Sequence, residues 1–303
     1  MRVTNQSIIR SSINHLQGNL QAMETARRDI STGRRLHRVS DDPVAGGQLV
    51  RIGSSMRAVD QFRRNITTAS GRARTEEDIL GSLTNTMGRA IELGVGQSGS
   101  ISTAQTRIIA KQEVDELLSY AVGLGNTRYG DEYLFGGNRA GEAPLRVPPS
   151  AGASFSALVD ASSNPVDPSG SIDVEVQDGK YVTANHNASE IFFDTNALNA
   201  MRDLSEALGA NDPAGIAAAT QAITAASTQV QTLIGEQGAR AGQFLTATDS
   251  LDSLSLTLQS VRSDLRDAEV EKTMVELVGR QTQYQAAMAA TSRVLGLSLA
   301  NYL

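Results

Sequence analysis

The chain has no cysteine, no tryptophan and only three histidines in 303 residues. Without cysteine, disulfide frameworks, thiolate metal sites and thiol nucleophiles are excluded together. With aromatics at 4%, burial falls to Ala, Leu, Ile and Val. That suits thin packing between helices better than one large round core, where aromatic rings supply much of the buried area. A globular all-α domain with an Ala-rich core is the competing expectation. No run approaches the roughly 20 apolar residues that a membrane helix needs. Ser11, Ser12, Asn14, His15 and Gln17 interrupt the only candidate for a signal-peptide core, so any export would take a route without a cleaved signal.

Catalytic chemistry is equally scarce. His15, His37 and His186 are scattered, and no pair has metal-ligand spacing. Each reads as a surface residue, His15 on the polar side of a helix and His186 in a loop between Asn185 and Asn187. Neither a Walker A loop nor a dinucleotide fingerprint occurs. The glycines at Gly123-Leu124-Gly125 and Gly136-Gly137 lack the strand, loop and helix context that phosphate binding requires. Glu76-Glu77, Asp115-Glu116 and Asp131-Glu132 read as solvated helix faces. No catalytic residue, cofactor or metal is expected, and no enzymatic activity.

Charge is unevenly spread. Residues 1–74 hold 13 Arg against 5 acidic residues, while the rest hold 14 Lys or Arg against 28. The arginines have no aromatic interleaving and no DNA-binding motif, so nucleic acid is not an expected partner. A basic end also suits a helix facing acidic neighbours.

What the chain does have is helical periodicity. Ile9, Ile13, Leu16, Leu20, Met23 and Ile30 step by four and three, with Arg27 in the one skipped position. That is a coiled-coil stripe, and it stops at Ser31-Thr32-Gly33, where glycine breaks the helix. Ser40-Asp41-Asp42-Pro43 follows; Asp42 is the expected N-cap and Pro43 the first helical residue. The stripe resumes at Leu49, Ile52, Met56, Val59 and Ile66, then at Ala73, Leu80, Leu83 and Met87. As one helix to residue 93 it would be about 75 Å long at ~1.5 Å per residue, a length expected of a rod.

A third helix is expected from Thr103 to about Val122, with Ile108, Ile109, Val114, Leu117 and Leu118 buried. Tyr129, Tyr133, Leu134 and Phe135 then form an aromatic knot. Five of the seven prolines lie within 144–168, which excludes long helices there. Ser171–Val176 and Tyr181–Thr183 alternate polar and apolar around Asp178-Gly179, the pattern of a hairpin. Helices return at about Asn196–Leu208 and again after Asn211-Asp212-Pro213, with Gly235 and Gly238 as a bend or interruption. In the last helix Leu251, Leu254, Leu258, Val261, Leu265, Ala268 and Val275 step four and three, with Lys272 between the last two. Beyond Gln281 the only charge is Arg293, and the chain ends on Leu295, Leu297, Leu299, Tyr302 and Leu303. So apolar an end is expected to bury itself against other molecules. The stripes at the two ends could also pair antiparallel.

The opening Met1-Arg2-Val3-Thr4, the Ser40–Ala45 segment, Tyr133-Leu134-Phe135-Gly136-Gly137 and Gly235–Arg240 together resemble the hook-associated protein 3 branch of the flagellin superfamily, the hook–filament junction proteins. The apolar Leu295–Leu303 end is similar to a flagellin-type terminus. The resemblance covers about 1–140 and 195–303 and leaves the middle unmatched. Flagellin itself shares both terminal helices.

The resemblance implies a secreted, extracellular structural subunit of the bacterial flagellum that leaves through the flagellar type III export channel. Its implied partners are further copies of itself, the first hook-associated protein, flagellin, and an export chaperone with the export apparatus. The expected fold is mainly α: an elongated antiparallel coiled-coil or helical bundle from both termini, with a small β-rich central insert. The expected divisions are terminal coiled-coil segments at 1–42 and 265–303, helical rod halves at 43–140 and 194–264, and an outer insert at 141–193. The expected assembly interface is Ile9, Ile13, Leu16, Leu20, Met23, Leu258, Val261, Leu265, Val275, Leu295, Leu297, Leu299, Tyr302 and Leu303. A flagellin of the filament is the alternative within the class. A cytoplasmic coiled-coil adaptor or signalling protein is the alternative outside it.

Overall fold

The computed structural model describes residues 5–99, 102–145 and 170–300, with backbone alone at 5–9, 138 and 294–300. Among the described residues the fold is mainly α. The helices are α1 (Asn5–Thr32), α2 (Pro43–Ser98), α3 (Ala104–Gly125), α4 (Ala197–Gly209), α5 (Pro213–Arg266) and α6 (Val270–Ala300). Two antiparallel hairpins interrupt them, β1 (Arg128–Tyr129) with β2 (Glu132–Tyr133), and β3 (Asp173–Gln177) with β4 (Lys180–Thr183). The chain divides into two compact units, residues 1–58 with 253–303, and residues 59–252. These divisions fall inside α2 and α5, whereas the expected 42/43 and 264/265 boundaries fall at or near helix ends.

Local chemistry accounts for most of the boundaries. Asp42 Oδ1 accepts from the Val44 and Ala45 N–H groups at 3.1 and 3.0 Å, and Pro43 opens α2. Thr103 and Thr106 cap α3 reciprocally, a threonine version of the capping box. Gly33 after α1 and Gly179 in the β3–β4 turn have φ of +65° and +69°, where only glycine is unstrained. Three boundaries differ from expectation. α2 continues through Gly94 and Gly96 to Ser98, and α5 runs unbroken through Gly235 and Gly238. Conversely, the last helical stretch breaks at 267–269, although Asp267-Ala268-Glu269 contains no helix-breaking residue.

In the 59–252 unit the core is aliphatic. Leu80, Leu83 and Met87 of α2 meet Val114 and Ala121 of α3, with Leu198, Met201, Leu204 and Leu208 of α4 beside them. Ile216, Ile223 and Val230 of α5 complete the cluster, all fully buried. Phe135 and Phe192 pack edge to face with centroids 6.0 Å apart. Two buried arginines hold loops in place. Arg72 donates to the Leu134 carbonyl at 2.8 Å. Arg107 donates to the Gln97 and Gly99 carbonyls, each at 3.0 Å, and to Asn211 Oδ1 at 2.5 Å.

Three expectations about burial are corrected. Ile108 and Ile109 are exposed, because α3 turns Arg107, Ala110, Val114 and Ala121 inward instead. Glu76 and His186 are not on the surface; both are buried. His186 Nδ1 lies 2.6 Å from Glu76 Oε1, and the His186 N–H donates to the same oxygen at 3.1 Å. The segment after β4 packs on Glu76 of α2 through His186, and Asn185 and Asn187 are buried as well. His37 is also largely covered, with Nε2 2.7 Å from Asp29 Oδ1. The notional insert at 141–193 contains the β3–β4 hairpin and a π-helical turn, Ser189–Asp194. Its residues 146–169 lie outside the described residues.

Candidate assembly interface

The unit formed by the two ends of the chain carries the predicted interface. α1 packs on α6. Just past the end of α1, Arg34 pairs antiparallel with Asp267 just before α6, so the two helices run in opposite directions from that point. Arg35 N–H donates to the Arg266 carbonyl at 2.8 Å, and Ala268 N–H donates to the Gly33 carbonyl at 3.0 Å. Asp41 Oδ2 accepts from the His37 and Arg38 N–H groups at 3.2 and 2.8 Å. The Arg38 N–H bond, with the His37 bond and nearby arginines behind it, holds the Asp41 carboxyl below its ordinary value. Asp267 is held down likewise, first by the hydrogen bond from Arg266 and then by that from Ser263. Ser40 is exposed in the same loop.

The helices present their rows in an unexpected way. The side of α1 that is covered carries Ser12, Leu16, Asn19, Met23, Ala26 and Ile30. The predicted stripe shares only Leu16, Met23 and Ile30 with it. Ile13 and Leu20, the alternate members, are 46% and 48% exposed. α5 repeats the arrangement over its last turns. Leu251 and Ser255 are buried, and Leu258, Arg262 and Leu265 are half-buried, while the predicted Leu254 and Val261 are exposed. In each helix the intramolecular seam uses one apolar row and a polar row beside it. The second apolar row is left facing water.

α6 goes further. Its covered side is Thr273, Leu277, Arg280, Tyr284, Ala287 and Thr291. Its open side carries Val270, Met274, Val275, Val278 and Met288, with Val275 75% and Val278 61% exposed. Of these the sequence reading singled out Val275 alone. The spacing of Val270, Met274 and Val278, four residues apart, is the signal for those three; Met288 lies outside it. Ile9, Leu295, Leu297 and Leu299 fall in α1 and α6, but their side chains, with Tyr302 and Leu303 entirely, lie outside the described residues.

Between α1 and α6 lies a cleft lined by Ala22, Thr25, Ala26 and Asp29 on one side and Asp267, Lys272, Thr273, Glu276 and Arg280 on the other. Its charges are of mixed sign. Among the described residues no group of three or more His, Asp or Glu side chains is placed to hold a metal. No described helix is long and apolar enough to cross a membrane.

These helices have recognisable relatives. The family profile for the bacterial flagellin N-terminal helical region matches residues 3–140, and that for the C-terminal helical region matches residues 220–303. The chain belongs to the flagellin superfamily. Within that superfamily it is similar to flagellar hook-associated protein 3 of Escherichia coli K12, 25% identical over 297 residues and covering 89% of each chain. Solved structures share the fold. The chain resembles a flagellar hook-associated protein from Vibrio parahaemolyticus (TM-score 0.65, 22% identity, 75% of this chain and 100% of that one). It also resembles the flagellar junction protein from Legionella pneumophila (TM-score 0.56, 14% identity, 73% of this chain and 100% of that one). The flagellin-type regions coincide with α1 to α3 and with most of α5 and all of α6, leaving the β3–β4 hairpin outside both matches.

Proposed function

We propose that the protein is a junction subunit of the bacterial flagellum, of the hook-associated protein 3 type, built in through the open rows of α1, α5 and α6. The carrying observation is the open side of α6: Val270, Met274, Val275, Val278 and Met288 face water, while the covered side mixes Leu277, Tyr284 and Ala287 with Thr273, Arg280 and Thr291. Apolar area left in water forgoes about 25 cal/mol per Å², and a neighbouring copy would recover it. The proposed interface is centred on the exposed Ile13 and Leu20 of α1, Val261 of α5 and Val275 of α6, flanked by the half-buried Leu16, Met23, Leu258 and Leu265 that also serve the intramolecular seam, with Ile9 and the residues after 294 at the two ends. The similarity to hook-associated protein 3 over most of both chains supports the same placement.

In this reading the subunit sits in the extracellular flagellum, between the hook-associated region and the filament. Its partners are further copies, the first hook-associated protein and flagellin, preceded by an export chaperone and the export apparatus. Its role is structural, without a catalytic step. The match to flagellin's own helical regions favours one second reading, a flagellin of the filament itself; copy number in isolated flagella separates the two, a few against thousands.

The deciding experiment is a deletion strain. Junction function predicts hooks without filaments and flagellin released into the medium, both restored by the intact gene. Normal filaments in the deletion strain would overturn the reading.

A further inference from the structure

Across α1 and α6 the covered side chains are small or polar at many positions, among them Ser12, Asn19, Ala26, Thr273, Ala287 and Thr291. Along α1 these alternate with Leu16, Met23 and Ile30, so the covered row repeats every seven residues. Paired helices are held in register by distinctive large or buried polar residues, and a slip of two turns along α1 exchanges Ser12 for Asn19 and Leu16 for Met23, like for like. Such a slip moves α6 by about 10.5 Å along α1. The open rows on the two helices would then no longer stand at matching heights in every copy.

The joint beside the seam has the specificity the seam lacks. Arg35 and Leu36 N–H both donate to the Arg266 carbonyl, at 2.8 and 3.2 Å, and Ala268 N–H donates to the Gly33 carbonyl at 3.0 Å. Arg35 Nη2 donates to the Leu265 carbonyl at 3.0 Å, Leu36 is buried, and His37 braces Asp29. The positive φ of Gly33 turns the chain out of α1 into this pairing. A shift of one residue breaks the four bonds that cross the joint together.

We infer that the two paired helix breaks are a register clamp: residues 33–36 and 266–268 set which residue of α1 meets which residue of α6, and they stay joined while copies assemble. The purpose assigned to the clamp rests on the subunit reading above; its existence does not.

The chain has no cysteine, so engineered disulfides report cleanly. The bonds flanking Arg34 and Asp267 make them a narrow antiparallel pair, with Cα atoms about 4.5 Å apart, inside the range a disulfide spans. Arg34→Cys with Asp267→Cys closes on mild oxidation, and the locked protein assembles to the same extent as its reduced form. The second arm reads register directly. Ala22→Cys is combined in turn with Thr273→Cys, Glu276→Cys or Arg280→Cys, all four positions lining one cleft. With Gly33 intact, one pairing exceeds the others by roughly tenfold, the ratio that about 1.4 kcal/mol of register preference gives. In a Gly33→Val background, where the added side chain meets open space but the backbone is strained, the disulfides spread over the three positions. Assembly of the locked protein only after reduction, or a single unchanged pairing with Gly33→Val, overturns the clamp. The second arm does not require assembly. A chain that never assembles therefore defeats the subunit reading while the clamp is still judged.

Discussion

Val275→Ala with Val278→Ala should weaken assembly strongly and leave the isolated chain's stability almost untouched. Each substitution removes two methylene equivalents, worth ~0.8 kcal/mol apiece when fully buried. Scaled by exposures of 75% and 61%, the contact loses about 1.2 and 1.0 kcal/mol, or roughly fortyfold in association for the pair. Leu80→Ala is the contrast. Leu80 is fully buried in the 59–252 core, so its loss costs about 2–5 kcal/mol of folding stability. Urea unfolding measures folding stability, and the critical concentration for assembly measures the contact. The reasoning is refuted if the double variant lowers the unfolding midpoint as Leu80→Ala does, or assembles at the wild-type concentration.

Asp42→Ala removes the acceptor for the Val44 and Ala45 N–H groups and should cost about 1 kcal/mol, visible as a lower thermal midpoint. Glu76→Ala leaves His186 Nδ1 and its backbone N–H buried without the carboxylate they share and should cost about 1–3 kcal/mol; an unshifted urea midpoint would count against the buried pair. Asp267 has a lowered pKa, so its contribution is present above the ordinary carboxylate value of 3.8 and is lost as pH falls through the lower folded value. Asp267→Asn should therefore flatten the acid limb of the stability profile and leave its alkaline side alone.

The helical character, the Asp42-Pro43 helix start, the Gly33 stop and the Asp178-Gly179 hairpin were legible because each depends on one or two residues acting locally. The open rows were legible only in part. A four-three stripe locates the apolar side of a helix, yet it does not say which edge of that side an internal partner will cover. Leu254 and Val261 stay open because Ser255 and Arg262 turn inward beside them, and that choice is made by the opposing helix. Glu76 and His186 were misread for a related reason. A carboxylate on a helix and a histidine between two asparagines both suit solvent, and only the fold brings them together and covers them. The break at 267–269 carries no glycine or proline; pairing with Gly33–Leu36 produces it, from the far end of the chain.

On the proposed reading, the open rows of the terminal helices find shelter in neighbouring copies. Val275→Cys and Val278→Cys, labelled with a thiol reagent in the free subunit and again in intact flagella, test it most directly. Rapid labelling when free and at least roughly tenfold slower labelling when assembled, as expected of sites removed from solvent, is the predicted result. Equal labelling in the two states would contradict it.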